Sequence, residues 1–417
     1  MRIPLSKPDI GEREIELVTA VLRSGQLSLG PRLAEFEEKF AAYVGARYAV
    51  AVNSGTSALH LCIRSLGIGP GDEVLTTSFS FVASANCLLY EGALPAFVDI
   101  DPATLNLDAG KIGETIARDY VWQGGRPVNR ASGRILRAVL PVHVFGLPCD
   151  MEPILEAAQA FNLHVIEDAC EALGATYQGQ PAGTFGDAGV FAFYPNKQMT
   201  TAEGGMVVTN DARIARICRS LRNQGRDESA AWLRHAYLGY NYRLSELHCA
   251  LGLAQLERIG ASLAAREQVA TRYARMLDGI PQIALPCDTS GRQRSWFVYA
   301  IRLLDPSASI LRRKLIAGLR ERGIACQTYF PAIHHQPYFR EVPAAPRPLP
   351  ETERAAKSCL ALPFFPSMTE HDVDQVCAAV REILADAVRP RRRLVLGRRL
   401  DSARQAPRES ERSLGLR

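Results

Sequence analysis

Between residues 163 and 210 the chain reads LHVIEDACEALGATYQGQPAGTFGDAGVFAFYPNKQMTTAEGGMVVTN, and three short apolar runs punctuate it. Residues 163–166 end on Glu167 and Asp168, residues 189–194 end at Pro195, Asn196 and Lys197, and residues 206–208 follow Gly204 and Gly205. Apolar runs of this length, bounded by glycine, proline and asparagine, read as buried strands of an α/β sheet. Ligands of such sheets sit beyond the carboxyl ends of the strands. Asp168 and Lys197 both fall just past a strand end, so both side chains can face one crevice.

A carboxylate and an amine converging on one pocket suit pyridoxal phosphate. The amine condenses with the cofactor's aldehyde. The carboxylate keeps the pyridine nitrogen protonated, so the ring can accept electrons. The competing reading makes Lys197 a surface loop residue and Asp168 an N-cap. Lysine is scarce here, six residues against 43 arginines, and only Lys197 lies between two expected buried strands beside a Gly-Gly turn. That placement favours the cofactor.

A chain of 417 residues, 47% of them hydrophobic, can bury a large core spread over two or three lobes. No run of about 18 uncharged apolar residues is present, so no membrane span is expected. The opening MRIPLSKPDIGERE has no apolar signal core, which points to the cytoplasm. The ten cysteines are scattered without CxxC or Cys/His ligand spacing, so neither disulfides nor a metal is expected. The net charge of +5 is local. Residues 388–417 hold ten arginines against three acids, which leaves the body at −2. The body therefore shows no nucleic-acid footprint, and the tail reads as a mobile basic extension.

Taken in order, the pattern predicts a helix over 11–24 with Ile15, Val18, Val21 and Leu22 on its apolar face. A second helix, over 32–44, should bury Leu33, Phe36, Phe40 and Tyr43. A strand over 48–52 runs into Asn53-Ser54-Gly55-Thr56-Ser57 and a helix over 58–66. Small residues at a helix start can cradle an anion, because free N–H groups and the positive helix end face it. An ordinary N-cap would look the same. Further strands are expected over 73–76, 96–100 and 138–142, with 78–82 opening a helix and 123–134 making a polar surface excursion. His143 ends a strand and so points towards the crevice, as a substrate contact or as a structural histidine. A long helix over 245–259 precedes a smaller α/β lobe with strands over 295–303 and 324–329 and helices over 309–322 and 369–384. The expected division is 1–260, 261–387 and the tail 388–417.

The segments EDACEALGA, GTFGDAGVFAFYPNKQMTTAEGG and LGYNYRLSELHCALGLAQLERI resemble, in order, the DegT/DnrJ/EryC1/StrS family. The similarity runs from about residue 5 to about residue 383. It implies fold type I of the pyridoxal-phosphate transferases, the aspartate-aminotransferase-like fold: a large mixed-sheet α/β/α domain followed by a smaller C-terminal α/β domain. It also implies an aminotransferase that moves an amino group, from L-glutamate by family analogy, to a nucleotide-linked keto-sugar. The product would serve surface polysaccharide or secondary-metabolite biosynthesis. A keto-cyclitol substrate and a non-catalytic cofactor-binding regulator are the alternatives. A dehydratase relative would carry histidine in place of Lys197.

By the same resemblance, Lys197 carries the cofactor and Asp168 holds its ring nitrogen. Gly55, Thr56 and Ser57 hold its phosphate, Phe81 stacks on its face, and Glu171 sits beside its phenolic oxygen. A carboxylate there must be protonated or bridged. Asn241 reaches the phosphate of the neighbouring subunit, implying a two-fold homodimer with shared sites. His143, Arg243 and, through the turn 329–334, His334 are candidate substrate or anion contacts. One departure stands out: Ala192 occupies the place of a phosphate-binding serine, which leaves Thr200 or Thr201 to take that role. Loops 123–134 and 225–236 are expected to set the choice of sugar.

Overall fold

The computed structural model describes residues 2–226, 233–287, 289–304, 308–344 and 347–388. The tail beyond residue 388 and residues 227–232, part of the loop 225–236 expected to help choose the sugar, lie outside the described residues. Nine strands form the main sheet: β1 (Tyr48–Val52), β2 (Asp72–Thr77), β3 (Leu94–Val98), β4 (Tyr120–Gln123), β5 (Arg126–Asn129), β6 (Ile135–Leu140), β7 (His164–Asp168), β8 (Ala188–Ala192) and β9 (Gly205–Thr209). Their order is β1-β9-β8-β7-β6-β2-β3, with β4 and β5 appended at β6. β8, β7, β6, β2 and β3 pair in parallel, whereas β9 runs antiparallel to both β8 and β1.

The strands are apolar nearly throughout because both faces of the sheet are covered. Val50, Val52, Val190 and Val207 point to one face, where they pack with Leu59 and Ile63 of the helix Gly55–Ser65. Ala49, Ala51, Phe191, Met206 and Val208 point to the other, against Phe36 and Phe40 of the helix Pro31–Val44. A second sheet, of strands Ile283–Ala284, Tyr299–Leu303 and Cys359–Leu362, is antiparallel. Its core draws on the helices Ile259–Leu277, Ala308–Glu321 and Glu370–Val388, and also on Ile3 from the far end of the chain. Among the described residues no helix is long and apolar enough to cross a membrane.

Four local expectations need correction. In the helix Glu12–Ser24 the inward face is Glu14, Leu17 and Val21, while Ile15 and Leu22 are more than half exposed. Glu14 goes inward because its carboxylate accepts from Gly11 N, Gln255 Nε2 and Arg258 Nε, so a polar hub overrides the apolar pattern. Tyr43, expected in the core, is exposed in the same way. The excursion 123–134 is no simple loop: β4 and β5 form a hairpin with Trp122 opposite Pro127. Residues 324–329 form no strand and are held by bridges from Ile324 to Ile3 and from Gln327 to Ala361.

Candidate active site

Where the parallel strands end, a cavity of about 570 Å³ opens between the two sheets. Asp168 closes β7, and Lys197 follows β8 in a turn in which Lys197 N donates to Tyr194 O at 2.9 Å. Both side chains line the cavity, as the strand-end reading requires. Lys197 Nζ lies 3.8 Å from Glu171 Oε1 and 4.0 Å from the centroid of the Phe297 ring. The ring comes from far along the chain, just before the strand Tyr299–Leu303 of the second sheet. Asp168 Oδ2 accepts from Ser84 Oγ and Oδ1 from Cys170 N, both at 3.1 Å, which fixes the carboxylate plane.

Glu171 is buried, and its Oε2 accepts from Phe145 N at 2.9 Å. Burial pushes its carboxyl up to about 7; the charges of Lys197 and Asp168 pull in opposite directions. A carboxyl that holds its proton near neutrality can donate a hydrogen bond, which a plain carboxylate cannot.

The helix Gly55–Ser65 points its N-terminus at the cavity, and Ser54, Gly55 and Thr56 line that wall. Ser57 stands one step back: its amide is taken by the N-cap Ser54 Oγ at 3.0 Å. A Cβ on Gly55 would lie 2.7 Å from Ala192 Cβ and 2.9 Å from Cys170 Sγ, so only glycine lets the turn sit this close to β8. Thr200 and Thr201 do not replace the missing serine at Ala192. Both are buried, and their hydroxyls donate to Phe193 O and Glu203 O. Phe81, 60% exposed, lines the cavity just before the helix Ala83–Tyr90 begins.

The three candidate substrate contacts fare differently from expectation. His143 is fully buried outside the cavity; Nδ1 accepts from Cys149 N at 3.0 Å and Nε2 meets Glu167 Oε2 at 3.1 Å. It is the structural histidine of the two readings. His334 is also absent from the cavity wall, because Ser78 Oγ holds its Nδ1 at 2.7 Å; Tyr329, Phe330 and Pro331 of the same turn do line it. His334, His335 and Glu353 bring three ligand-capable atoms within 4.8 Å of one another, a grouping that spacing could not signal. Arg243 Nη1 donates to Asn223 Oδ1 at 3.1 Å and stays outside this chain's cavity.

Asn241 also lies outside the cavity of its own chain and is exposed, while its sequence neighbours Tyr240 and Tyr242 stack on each other. Tyr240 and Tyr242 are 4.9 Å apart, with their hydroxyls bound to Glu91 Oε1 and His60 Nδ1. His60 Nε2 closes the circuit on Glu91 at 2.7 Å. The same segment touches the cradle, because Asn53 N donates to Tyr242 O at 3.0 Å.

The arrangement fits pyridoxal phosphate: a lysine amine, an acid held in plane, a helix N-terminus with no room for a side chain, and Asn196 Oδ1 buried without a partner in the cavity wall. The DegT/DnrJ/EryC1/StrS aminotransferase family model matches residues 8–381. The chain belongs to this aminotransferase family. It is 38% identical over 397 residues to the spore coat polysaccharide biosynthesis protein SpsC of Bacillus subtilis, covering 92% of this chain and 98% of that one. It is 39% identical over 390 residues to the GDP-perosamine synthase of Caulobacter vibrioides, with the same coverage. Among solved structures it resembles S. venezuelae DesV in complex with a ketimine intermediate, with a TM-score of 0.81, 33% identity and coverage of 92% and 98%. A DegT DnrJ EryC1 StrS aminotransferase from Brucella abortus gives 0.80 and 31%, covering 89% and 95%. Family membership makes the chain an aminotransferase of a pyridoxal-phosphate-dependent group and accounts for its mixed sheet.

Two residues that meet the site's acid and lysine carried no local signal. Ser84 belongs to an apolar helix, and Phe297 comes from a distant segment. Only the fold brings them to Asp168 and Lys197.

Proposed function

We propose that this aminotransferase takes its amino group from L-glutamate and delivers it to a nucleotide-linked keto-sugar, with pyridoxal phosphate as cofactor and a homodimer as the working unit. The observation that carries the reading is the meeting of Lys197 and Asp168 in one cavity at the start of the helix Gly55–Ser65. When bound, the cofactor supplies an aldehyde that links to amines and a ring that accepts electrons. Lys197 Nζ would hold it, and when displaced by a substrate amine would take a proton from the substrate carbon and return one. Asp168, kept in plane by Ser84 and Cys170, would hold the proton of the pyridine nitrogen. The amides of Gly55 and Thr56 would face the phosphate. Phe81 would cover one face of the ring, and protonated Glu171 would donate to the phenolic oxygen.

The sugar reading is supported by the relatives' names, which concern polysaccharide and GDP-perosamine synthesis. The homodimer is supported by Asn241, which turns away from its own cavity, and by exposed apolar neighbours such as Leu238 at 82%. The partner subunit's Asn241 would then complete the phosphate site.

The test is the visible absorption of purified protein with added pyridoxal phosphate, before and after L-glutamate, followed by a panel of nucleotide keto-sugars. A band that L-glutamate bleaches and one keto-sugar restores is the expected result. A band indifferent to L-glutamate would exclude it as donor, and no band would overturn the reading.

A further inference from the structure

Arg266 sits on the helix Ile259–Leu277 behind the catalytic lysine and is 3% exposed. Nη2 donates to Lys197 O at 2.8 Å, and Nη1 is shared between Phe297 O at 3.3 Å and Trp296 O at 3.4 Å. Nε has no partner, and no acid of the described residues pairs with the guanidinium. Burial lowers its pKa to about 10, which leaves it charged at neutral pH. One turn earlier on the helix, Ser262 Oγ donates to Gln198 O at 3.1 Å.

A buried cation without a counter-ion is costly, and an apolar side chain of similar volume would pack here without that cost. The charge needs another reason. The carbonyls it holds belong to Lys197 and to Phe297, the residue whose ring lies under Lys197 Nζ at 4.0 Å. One guanidinium thus fixes the lysine's backbone and the platform its amine rests on.

We propose that Arg266 is a positioning residue for Lys197: it locks the lysine to the Phe297 segment and keeps a permanent positive charge behind the amine that disfavours a second one on Nζ. The proposal rests on the cofactor reading of Lys197. The guanidinium lies within one lysine side chain and one hydrogen bond of Nζ, roughly 10 Å. Like charges at that separation repel each other through the protein interior. The other titratable groups lining the lysine's cavity are Glu171, Asp168, Glu203, Cys170, Tyr194 and Tyr329. The substitutions below leave them in place.

The test compares wild-type protein with Arg266→Met and Arg266→Lys, each loaded with pyridoxal phosphate. Three quantities are read: the pH midpoint of the visible band, the cofactor dissociation constant and the melting temperature. Arg266→Met should raise the midpoint by about one unit and weaken cofactor binding about tenfold, with some loss of melting temperature because three carbonyls lose their donor. Arg266→Lys keeps the charge but loses the fork, so it should weaken binding with little change in midpoint. A lower melting temperature with unchanged midpoint and binding would make Arg266 merely structural and overturn the proposal. If Arg266→Met does not fold, Arg266→Lys decides: cofactor binding equal to wild type overturns the proposal. A wild-type protein without a band would instead bring down the cofactor reading and this proposal with it.

Discussion

Replacing Glu171 with glutamine should stabilise the cofactor-free protein at pH 8 and do far less at pH 5. The carboxyl has an ordinary value of 4.5 and is pushed by burial up to about 7 in the fold. A raised folded value means that the folded state binds the proton more tightly than the unfolded chain. The corresponding stability is fully present below about pH 4.5 and is lost as the pH rises to about 7. The difference of about 2.5 units is worth roughly 3 kcal/mol, and this already includes the opposing pull of Lys197. Glutamine stays neutral and can still accept from Phe145 N, so at pH 8 the variant recovers most of that energy. At pH 5 the gain shrinks to under about 1 kcal/mol. For the about 375 described residues the unfolding entropy is roughly 0.8 kcal/mol/K, so 3 kcal/mol corresponds to about 4 °C. Thermal melts at fixed protein concentration, at pH 5 and pH 8, read this directly. A variant no more stable than wild type at pH 8, or equally stabilised at both pH values, would refute the burial argument.

The remaining predictions concern the site. Lys197→Ala should abolish the visible band and reduce turnover roughly 10²–10⁴-fold; full turnover in stopped assays would remove the lysine from the chemistry. Gly55→Ala brings a methyl within 2.7 Å of Ala192 Cβ, so the turn must shift, and the cofactor dissociation constant should rise at least tenfold by about 1.4 kcal/mol in an absorption titration. Mixing inactive Lys197→Ala and Asn241→Ala chains should restore about a quarter of wild-type activity, since half the dimers are hybrids with one intact site each. No recovery in hybrids confirmed by mass would place Asn241 in its own chain's machinery or outside catalysis.

The main sheet and the pairing of Asp168 with Lys197 were legible because both depend on short-range order: an apolar run, a strand end, then a polar residue. His143 met the same rule and still misled. Just past β6 its ring is captured by Glu167 from the neighbouring strand and by Cys149 N. Which side of a strand end a residue faces depends on such non-local partners. The outward Ile15 and inward Glu14 fail for the same reason, since Gln255 and Arg258 come from some 240 residues away. Phe297, Ser84 and Arg266 were invisible to pattern because their meaning lies in what they meet. The serine missing at Ala192 could be noticed, but its absence could not indicate that Thr200 and Thr201 are committed to backbone carbonyls.

The bond from Asn53 N to Tyr242 O ties the turn before the cradle to the segment that carries Asn241 outward. In the proposed dimer, ligand capture and chain association become two equilibria acting on one mechanical piece. Linkage makes them reciprocal: whatever factor the cofactor adds to association, association adds to the cofactor's affinity. Dilution alone should therefore loosen the cofactor, and a cofactor-starved population should drift towards single chains. The supply of the vitamin would then help set how many assembled enzymes exist.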